Sequence, residues 1–180
     1  VIDLATNKVK AKLKTGMLLG ELVEDAEVIG GASPNSIVVG SKFAYVTNAT
    51  NDNIAVIDYK KGRIVKHIPI KVDQRIDKLR GLVPFGIDLT KDEKYLFVAL
   101  LGFNAVAKID LASEKTLGLI PTGWGTTRVK LSNDDKTIYV TSCRGLGAGP
   151  NGGKNFKIPA QGSYIGDIQL GSFQKIENPS

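Results

Sequence analysis

The sequence is poor in the residues that build disulfides and metal centres. Its 180 residues include one cysteine, Cys143, and one histidine, His67. A single cysteine excludes an intrachain disulfide and every multi-cysteine zinc site, and one histidine leaves few routes to a histidine-based metal site. The sequence therefore points to no metal and no cofactor.

Long apolar runs are also missing. No stretch combines the length and apolarity of a membrane-spanning helix, and no charged-then-apolar leader opens the chain at Val1. Lys and Arg outnumber Asp and Glu by 24 to 18, but they are scattered among the acidic residues instead of forming a run. We therefore expect no membrane span and no nucleic-acid partner, and a solvated basic surface on which an anionic ligand can bind.

The residues that are abundant indicate strands. Hydrophobic residues make up 42% of the chain and charged residues 23%, which is ordinary for one globular domain. Twenty glycines and seven prolines are spread among Val, Ile, Thr and Tyr. This mixture is typical of many short strands joined by turns, so the predicted fold class is all-β.

The chain contains internal repeats. Three stretches of thirteen residues align without a gap: DLATNKVKAKLKT, DYKKGRIVKHIPI and DLASEKTLGLIPT, starting at Asp3, Asp58 and Asp110. A second block recurs as PNSIVVGSKFAYVTN, PFGIDLTKDEKYLFVAL and TTRVKLSNDDKTIYVTS, starting at Pro34, Pro84 and Thr126. Such periodic self-similarity is the signature of a repeat architecture.

Each full repeat contains four β-type segments, here called A, B, C and D. A four-stranded antiparallel meander that recurs at this period predicts the blade of a β-propeller. We expect about three to three and a half blades. The predicted units are the end of a blade at 1–15, blades at 34–70 and 84–122, and an incomplete blade at 126–180 with a long B–C insertion at 143–171.

Several motifs resemble known families. Tyr45 to Asn48 spell YVTN, and this motif, with the DNIAVID and NAVAKID segments, is similar to YVTN-type (YncE-like) propeller repeats. The later runs GLIPTGW, LGAGPN and YIGD resemble a narrower group of bacterial proteins, in which such a propeller precedes an alkaline-phosphatase-like phosphoesterase domain. The resemblance extends over nearly the whole chain.

This resemblance implies a seven-bladed ring in the full protein and an exported location, in the periplasm or at the cell surface. The present chain supplies about half of such a ring, and it begins inside a repeat, so we expect it to be a piece of something longer. No residue matches the metal-binding and nucleophile positions of the phosphoesterase portion. A catalytic domain of that kind is therefore expected elsewhere in the parent protein.

The lengths of the connections predict which end of the blades carries function. From Leu13, Ile68 and Ile120 to the next A segment the separations are 21, 16 and 6 residues, whereas the A–B and C–D turns hardly vary. Alternate connections of a meander lie at the same end, so the insertions fall on one face, where a rigid scaffold presents its binding loops. The candidate ligand- or partner-binding residues are Arg80, Asn104, Trp124, Arg128, Arg144 and Lys154.

Some of these candidates also have a purely structural interpretation. Trp124 fits a wedge packed between blades better than a ligand platform. Arg128 falls in the innermost strand, where it can face a central channel and hold a carboxylate or phosphate, or pair with a neighbouring Asp. Asn104, and Asp52 at the matching place in the earlier repeat, fit turn-holding roles better than binding.

The glycine-rich insertion at 143–171 superficially resembles a phosphate-binding loop. Its 148–154 stretch lacks the required Ser or Thr, because Asn155 follows Lys154, and no amphipathic helix comes after it. We interpret the segment as an elongated B–C loop in which Arg144 and Lys154 can contact an anionic group.

Two functional classes follow from this reading. In the first, the propeller is a non-catalytic binding or assembly module whose partners are the remaining blades or another protein chain. In the second, the closed ring is a lactonase-like hydrolase whose active site needs blades outside this sequence. The sequence shows no clustered His, Asp and Glu for a catalytic metal in its predicted inner strands, and this favours the first class.

Overall fold

The computed structural model describes residues 1–16, 22–23, 26–27, 31–145, 147, 157–158 and 169–178. The chain starts with two short antiparallel pairings, β1 (Ile2–Asp3) with β2 (Lys8–Val9) and β3 (Leu22–Val23) with β4 (Ala26–Glu27). Three larger antiparallel sheets follow in chain order. The all-β prediction is confirmed.

Each large sheet is a meander in which consecutive strands pair. The first sheet contains β5 (Pro34–Val39), β6 (Ala44–Asn48), β7 (Asn53–Asp58) and β8 (Arg63–Pro69). The second contains β9 (Pro84–Leu89), β10 (Tyr95–Leu100), β11 (Ala105–Asp110) and β12 (Lys115–Pro121). The third contains β13 (Thr126–Leu131), β14 (Thr137–Ser142) and β15 (Ser172–Glu177). These strands correspond to the predicted A to D segments, and the third sheet consists of A, B and C.

Acidic residues shape the C–D turns, as the repeat pattern predicts. At the end of β7, the Asp58 carboxylate accepts a hydrogen bond from the Lys61 amide at 3.0 Å. At the end of β11, the Asp110 carboxylate accepts from the amide and hydroxyl of Ser113 at 2.8 and 2.6 Å, and these bonds lower the pKa of Asp110. Asp3 makes the equivalent bonds in the first short pairing. The turn geometry therefore follows from local sequence.

The core lies between neighbouring sheets. One apolar cluster joins the first and second sheets and includes Tyr45, Ile54, Val56, Leu96, Val98 and Ile109. A second cluster joins the second and third sheets and includes Phe97, Ala99, Val106, Val129, Ile138 and Val140. Strand β10 contributes to both clusters and is buried on both faces, which explains its unbroken apolar sequence.

The A strands lie side by side on the inner edge of the arc. Strand β9 contacts β5 on one side and β13 on the other. At the outer edge of the first two sheets, β8 and β12 carry exposed residues on most positions. A single turn of 3-10 helix, Gln74–Ile76, lies in the connection from the first sheet to the second. Within the described ranges, no helix is long and apolar enough to cross a membrane.

The D–A and B–C connections meet at one end of the sheets, which we call the loop face: residues 31–33, 49–52, 70–83, 101–104, 122–125 and 143–145. Main-chain hydrogen bonds tie them together, from Leu101 N to Val83 O at 3.0 Å and from Arg144 N to Trp124 O at 2.9 Å. In the connections that the structure describes, the variable loops therefore share one face, as the repeat spacing predicts.

Candidate functional site

The three A strands carry the same irregularity near the loop face. In each, the register with the B strand shifts by one residue. The shift lies between Pro34 and Ile37 in β5, between Pro84 and Ile87 in β9, and between Thr126 and Arg128 in β13. A β-bulge of this kind redirects the side chain at the extra residue. Three matched residues at these bulges, Ser36, Gly86 and Arg128, lie in the A strands on the inner edge of the arc.

Arg128 reaches from the third sheet to the first. Its Nη1 donates a hydrogen bond to Ser36 Oγ over 2.9 Å, across β9. Gly86 makes this possible, because a Cβ there would lie 2.7 Å from Thr127 O and 2.8 Å from Arg128 Cα. Glycine at this position lets β13 pack directly on β9.

The Arg128 guanidinium keeps most of its hydrogen-bonding capacity. Arg128 is exposed, and its hydrogen-bond partner, the Ser36 hydroxyl, is neutral. Among the residues that the structure describes, no carboxylate lies within ion-pairing distance of this guanidinium. An exposed guanidinium with several unused N–H donors is suited to a carboxylate or phosphate.

The neighbouring aspartate pairs with a different cation. Lys130 Nζ lies 2.9 Å from Asp88 Oδ1, and the Leu131 amide donates to Asp88 Oδ2 at 2.7 Å. Asp88 is buried between the second and third sheets. Of the two alternatives for Arg128, pairing with this Asp is therefore wrong, because Lys130 occupies that position.

Trp124 and Arg144 are adjacent on the loop face. Trp124 N donates to Gly145 O at 2.8 Å, and Arg144 N donates to Trp124 O at 2.9 Å, so the D–A connection and the start of the B–C insertion form a short ladder. Trp124 is 47% exposed, which contradicts the interpretation as a wedge buried between blades. Arg144 is exposed, and a Cβ on Gly125 would meet its side-chain methylenes at 3.4 and 3.6 Å.

Asn104 holds the connection that carries Trp124. Its Oδ1 accepts a hydrogen bond from the Gly125 amide at 2.7 Å, and its own backbone is left-handed, with a φ of 55°. Asp52, at the matching place in the first sheet, accepts from the amides of Gly81 and Val83 at 2.7 and 2.9 Å. Both side chains fasten a D–A connection to a B–C turn, which is the structural alternative given above for Asn104.

The remaining candidates lie apart from this group or outside the described residues. Arg80 is an exposed residue of the 70–83 connection on the loop face, and it interacts with neighbouring groups. Lys154 lies outside the described residues. Trp124 and Arg128 thus lie in the 122–128 segment. Arg144 lies in the 143–145 stretch, whose main chain is hydrogen-bonded to that segment.

The YVTN stretch is part of the packing. Thr47 donates to Phe85 O at 2.7 Å and so connects the first sheet to the second. Asn48 is fully buried, and its Nδ2 donates to Thr15 O and Asn53 Oδ1 at 2.7 and 2.8 Å. His67 also contacts Thr15 O, at 2.8 Å, and is half-buried. Burial and these two hydrogen bonds give the Asn48 side chain a structural role.

Acidic residues do not converge here. Within the described part of the chain, no three His, Cys, Asp or Glu side chains are grouped as a metal-binding site would require. On the 70–83 connection, hydrogen bonds from Arg75 lower the pKa of Asp73 to about 2. The exposed side chains of the described loop face include Trp124 and Arg144, an aromatic ring and a cation that suit recognition of an anionic group.

Comparison with solved structures identifies the architecture. Hydrazine synthase of Kuenenia stuttgartiensis superposes with a TM-score of 0.55 and 18% identity, over 71% of this chain and 33% of that protein. The luciferin-regenerating enzyme superposes with a TM-score of 0.54 and 15% identity, over 79% of this chain and 44% of that protein. The fold is that of a partial β-propeller.

A third propeller gives the same result. A 6-phosphogluconolactonase-like protein of Bacteroides fragilis superposes with a TM-score of 0.50 and 19% identity, over 64% of this chain and 33% of that protein. The chain thus spans between 33% and 44% of the length of these three propellers. No protein-family model and no curated protein matches the sequence. At such identities the likeness concerns the fold alone.

Sequence reasoning missed two of the three matched residues on the inner edge. Ser36 and Gly86 occupy the third position of the same aligned blocks in which Arg128 is third. A comparison of that position across the repeats would have shown a hydroxyl, a glycine and a guanidinium at equivalent places. Their contact could not be read from the alignment, because it depends on how closely β13 approaches β9.

Proposed function

We propose that this chain is a non-catalytic binding or assembly module whose loop face recognises an anionic group on a ligand or partner. The observation that carries this proposal is the exposed position of the Arg128 guanidinium and its contact with a neutral hydroxyl. This exposed guanidinium lies near the loop-face end of the inner edge, held at a β-bulge, with a hydroxyl as its partner. A fixed, incompletely used guanidinium is suited to bidentate recognition of a carboxylate or phosphate.

Two further side chains extend this surface. Trp124 offers an exposed aromatic face two residues before β13, and Arg144 adds a second cation on the paired main chain. Asn104 and Gly125 hold this connection through the hydrogen bond described above. Because the backbone here is tied to the blades, binding would require little ordering of the loop.

The motif resemblance supports a proposal about the parent protein. We infer that the module belongs to a larger exported bacterial protein of the YVTN type, in the periplasm or at the cell surface, with a phosphoesterase domain elsewhere and further blades as partners. The alternative, a lactonase-like propeller enzyme completed by other blades, has no observation in its favour among the described residues.

A titration with inorganic phosphate, followed by the fluorescence of the sole tryptophan, Trp124, tests the binding role. We expect a saturable change that weakens about tenfold or more in Arg128→Ala, since a charge-assisted hydrogen bond is lost. Arg63→Ala is the matched control, because it removes another exposed guanidinium from β8, away from the loop face.

Equal weakening in Arg128→Ala and Arg63→Ala would show general charge attraction and contradict the proposal. Turnover of p-nitrophenyl phosphate or of a lactone by this chain, lost in Arg128→Ala, would contradict the non-catalytic assignment and support the enzyme alternative. Circular dichroism of each variant verifies that the fold is retained.

A further inference from the structure

The connection from the first sheet to the second sends a short projection out from the loop face. We call residues 73–80 of this connection the tip. None of the residues in its single turn of 3-10 helix is buried, and every position from 74 to 81 is exposed. Neither of the sheets that it joins covers the tip, so its side chains face solvent on a convex surface.

Two aliphatic side chains lie on the same side of the tip. Main-chain hydrogen bonds run from Ile76 N to Asp73 O at 3.1 Å and from Leu79 N to Ile76 O at 2.9 Å, which makes two successive turns of the 3-10 type. Side chains three positions apart align in such turns. Ile76 and Leu79 are 44% and 39% exposed, and together they form a small apolar patch at the solvent side.

Basic side chains surround this patch. Four basic residues and two acidic ones lie between positions 71 and 80: Lys71, Arg75, Lys78 and Arg80 against Asp73 and Asp77. In the rest of the described loop face, Arg144 adds an exposed cation, and the acidic residue there, Asp52, is buried. The charge that the described loop face presents to solvent is therefore net positive.

Hydrogen bonds hold the tip in its shape. The Asp73 carboxylate accepts from the amide and the guanidinium of Arg75 at 2.8 and 2.7 Å. At the other end of the tip, the buried Asp52 carboxylate accepts from the amides of Gly81 and Val83. Because the backbone is fixed at both ends, docking of the tip would require little further ordering of the chain.

The arrangement of apolar and basic groups favours a lipid surface as the occupant. An anionic membrane places phosphate groups around an apolar interior, which matches cations placed around Ile76 and Leu79. A soluble anion would meet the cations and leave the two aliphatic side chains in water. An acidic protein would need an apolar pocket inside its acidic surface to receive a projecting tip, since binding hot spots on protein partners lie in such pockets.

We propose that the tip docks reversibly on a membrane that contains anionic lipids. Ile76 and Leu79 enter the boundary between headgroups and acyl chains, while Lys78 and the neighbouring basic side chains remain at the level of the headgroup phosphates. Two aliphatic side chains bury too little area to hold the chain on neutral lipid, so binding requires the anionic headgroups. The tip shares no side chain with the Arg128 site, and the inference does not rest on the proposed function.

Co-sedimentation of the full 180-residue chain with lipid vesicles tests this docking. One set of vesicles contains phosphatidylcholine and phosphatidylglycerol in equal parts, and the other contains phosphatidylcholine alone. We expect saturable binding to the first set only, and weaker binding as salt is added. The double variant Ile76→Ser/Leu79→Ser should weaken binding about tenfold or more, and Lys78→Gln about fivefold.

Two control variants separate the tip from the net charge of the chain. Leu117→Ser removes an aliphatic side chain from β12 that is more exposed than Ile76 or Leu79. Lys60→Gln removes an exposed cation from a C–D turn, at the end of the sheets opposite the loop face. Both controls should bind the anionic vesicles as the unmodified chain does. All substituted side chains are exposed, and circular dichroism verifies that each variant folds.

Three results would overturn the inference. They are no saturable binding to the anionic vesicles, binding that the double variant does not weaken, and equal weakening in Lys60→Gln and Lys78→Gln, which would show general charge attraction. Soluble polyglutamate is the probe for an acidic protein. If the chain binds polyglutamate through Ile76 and Leu79 and does not bind the vesicles, the occupant is a protein and the membrane assignment is wrong.

Discussion

Replacing Asp52 should destabilise the fold more than its position in a turn suggests. Asp52 is 4% exposed, and its carboxylate accepts hydrogen bonds from the amides of Gly81 and Val83 at 2.7 and 2.9 Å. Val83 has a positive φ of 52°, which is unfavourable for a β-branched residue. The carboxylate therefore holds a strained segment just before β9.

The cost can be worked from these contacts. A hydrogen bond to a charged group contributes about 1.5 to 3 kcal/mol, so losing two costs at least about 3 kcal/mol. Asp52 also has a φ of 47°, and placing Ala in the left-handed region adds about 1 kcal/mol. Asp52→Ala should therefore lower the free energy of unfolding by about 4 kcal/mol. Asp52→Asn keeps one acceptor, as Asn104 does, and should cost about 1 to 2 kcal/mol.

Urea denaturation followed by circular dichroism measures the change, and amide hydrogen exchange at Gly81 and Val83 reports it locally. Glu114→Ala is the matched control, because Glu114 has a φ of 60° but only a surface ion pair with Lys66. If Asp52→Ala costs no more than Glu114→Ala, or if both amides stay protected, the two hydrogen bonds do not support this segment and the reasoning is refuted.

Two further predictions concern packing and pH. Gly86→Ala should lower the free energy of unfolding by about 1 to 3 kcal/mol, because the added Cβ would meet backbone atoms of β13. Gly118→Ala is the control and should not be destabilising, since a Cβ at Gly118 would enter open space. Equal urea midpoints for the two variants would contradict the close approach of β13 and β9. Burial, with a smaller contribution from Glu93, raises the pKa of Tyr45 above 10.0, so its folded state retains the proton more strongly than the unfolded state. The stability contributed by this group is present below pH 10 and is lost as the pH rises through the folded pKa. Tyr45→Phe should therefore reduce the loss of stability at alkaline pH. An unfolding profile against pH that is the same in Tyr45→Phe as in the unmodified chain would refute the role of Tyr45 in that loss.

Local sequence was sufficient to predict the strands. Alternation and turn residues recur in each repeat, and the predicted 44–48 segment coincides with β6 (Ala44–Asn48). Asp58 and Asp110 cap their turns through bonds to residues three positions later, so the information lies within one turn. The sharing of one face by the variable connections also followed from the sequence, because a meander alternates its ends.

The side-chain roles were harder to predict, because they depend on which sheets face each other. Trp124 was expected to pack between blades, but its main chain pairs with 144–145 and leaves the indole half exposed. The sequence shows Arg128 and Lys130 as two cations in the same A strand and does not distinguish their partners. The packing of the sheets determines that Lys130 contacts Asp88 and that Arg128 contacts Ser36.

The sequence by itself determined the all-β class, the repeat and the strand order, because these depend on hydrogen bonds and turns between residues close in the chain. The tertiary structure decided which matched positions are buried and which are exposed. Ile54, Val106 and Phe173 occupy equivalent places in the repeat. Ile54 and Val106 are buried because the next sheet packs on them, whereas Phe173 is exposed. Long-range packing between sheets has no local sequence signature, and for this reason the bridge from Arg128 to Ser36 over Gly86 emerged only in three dimensions.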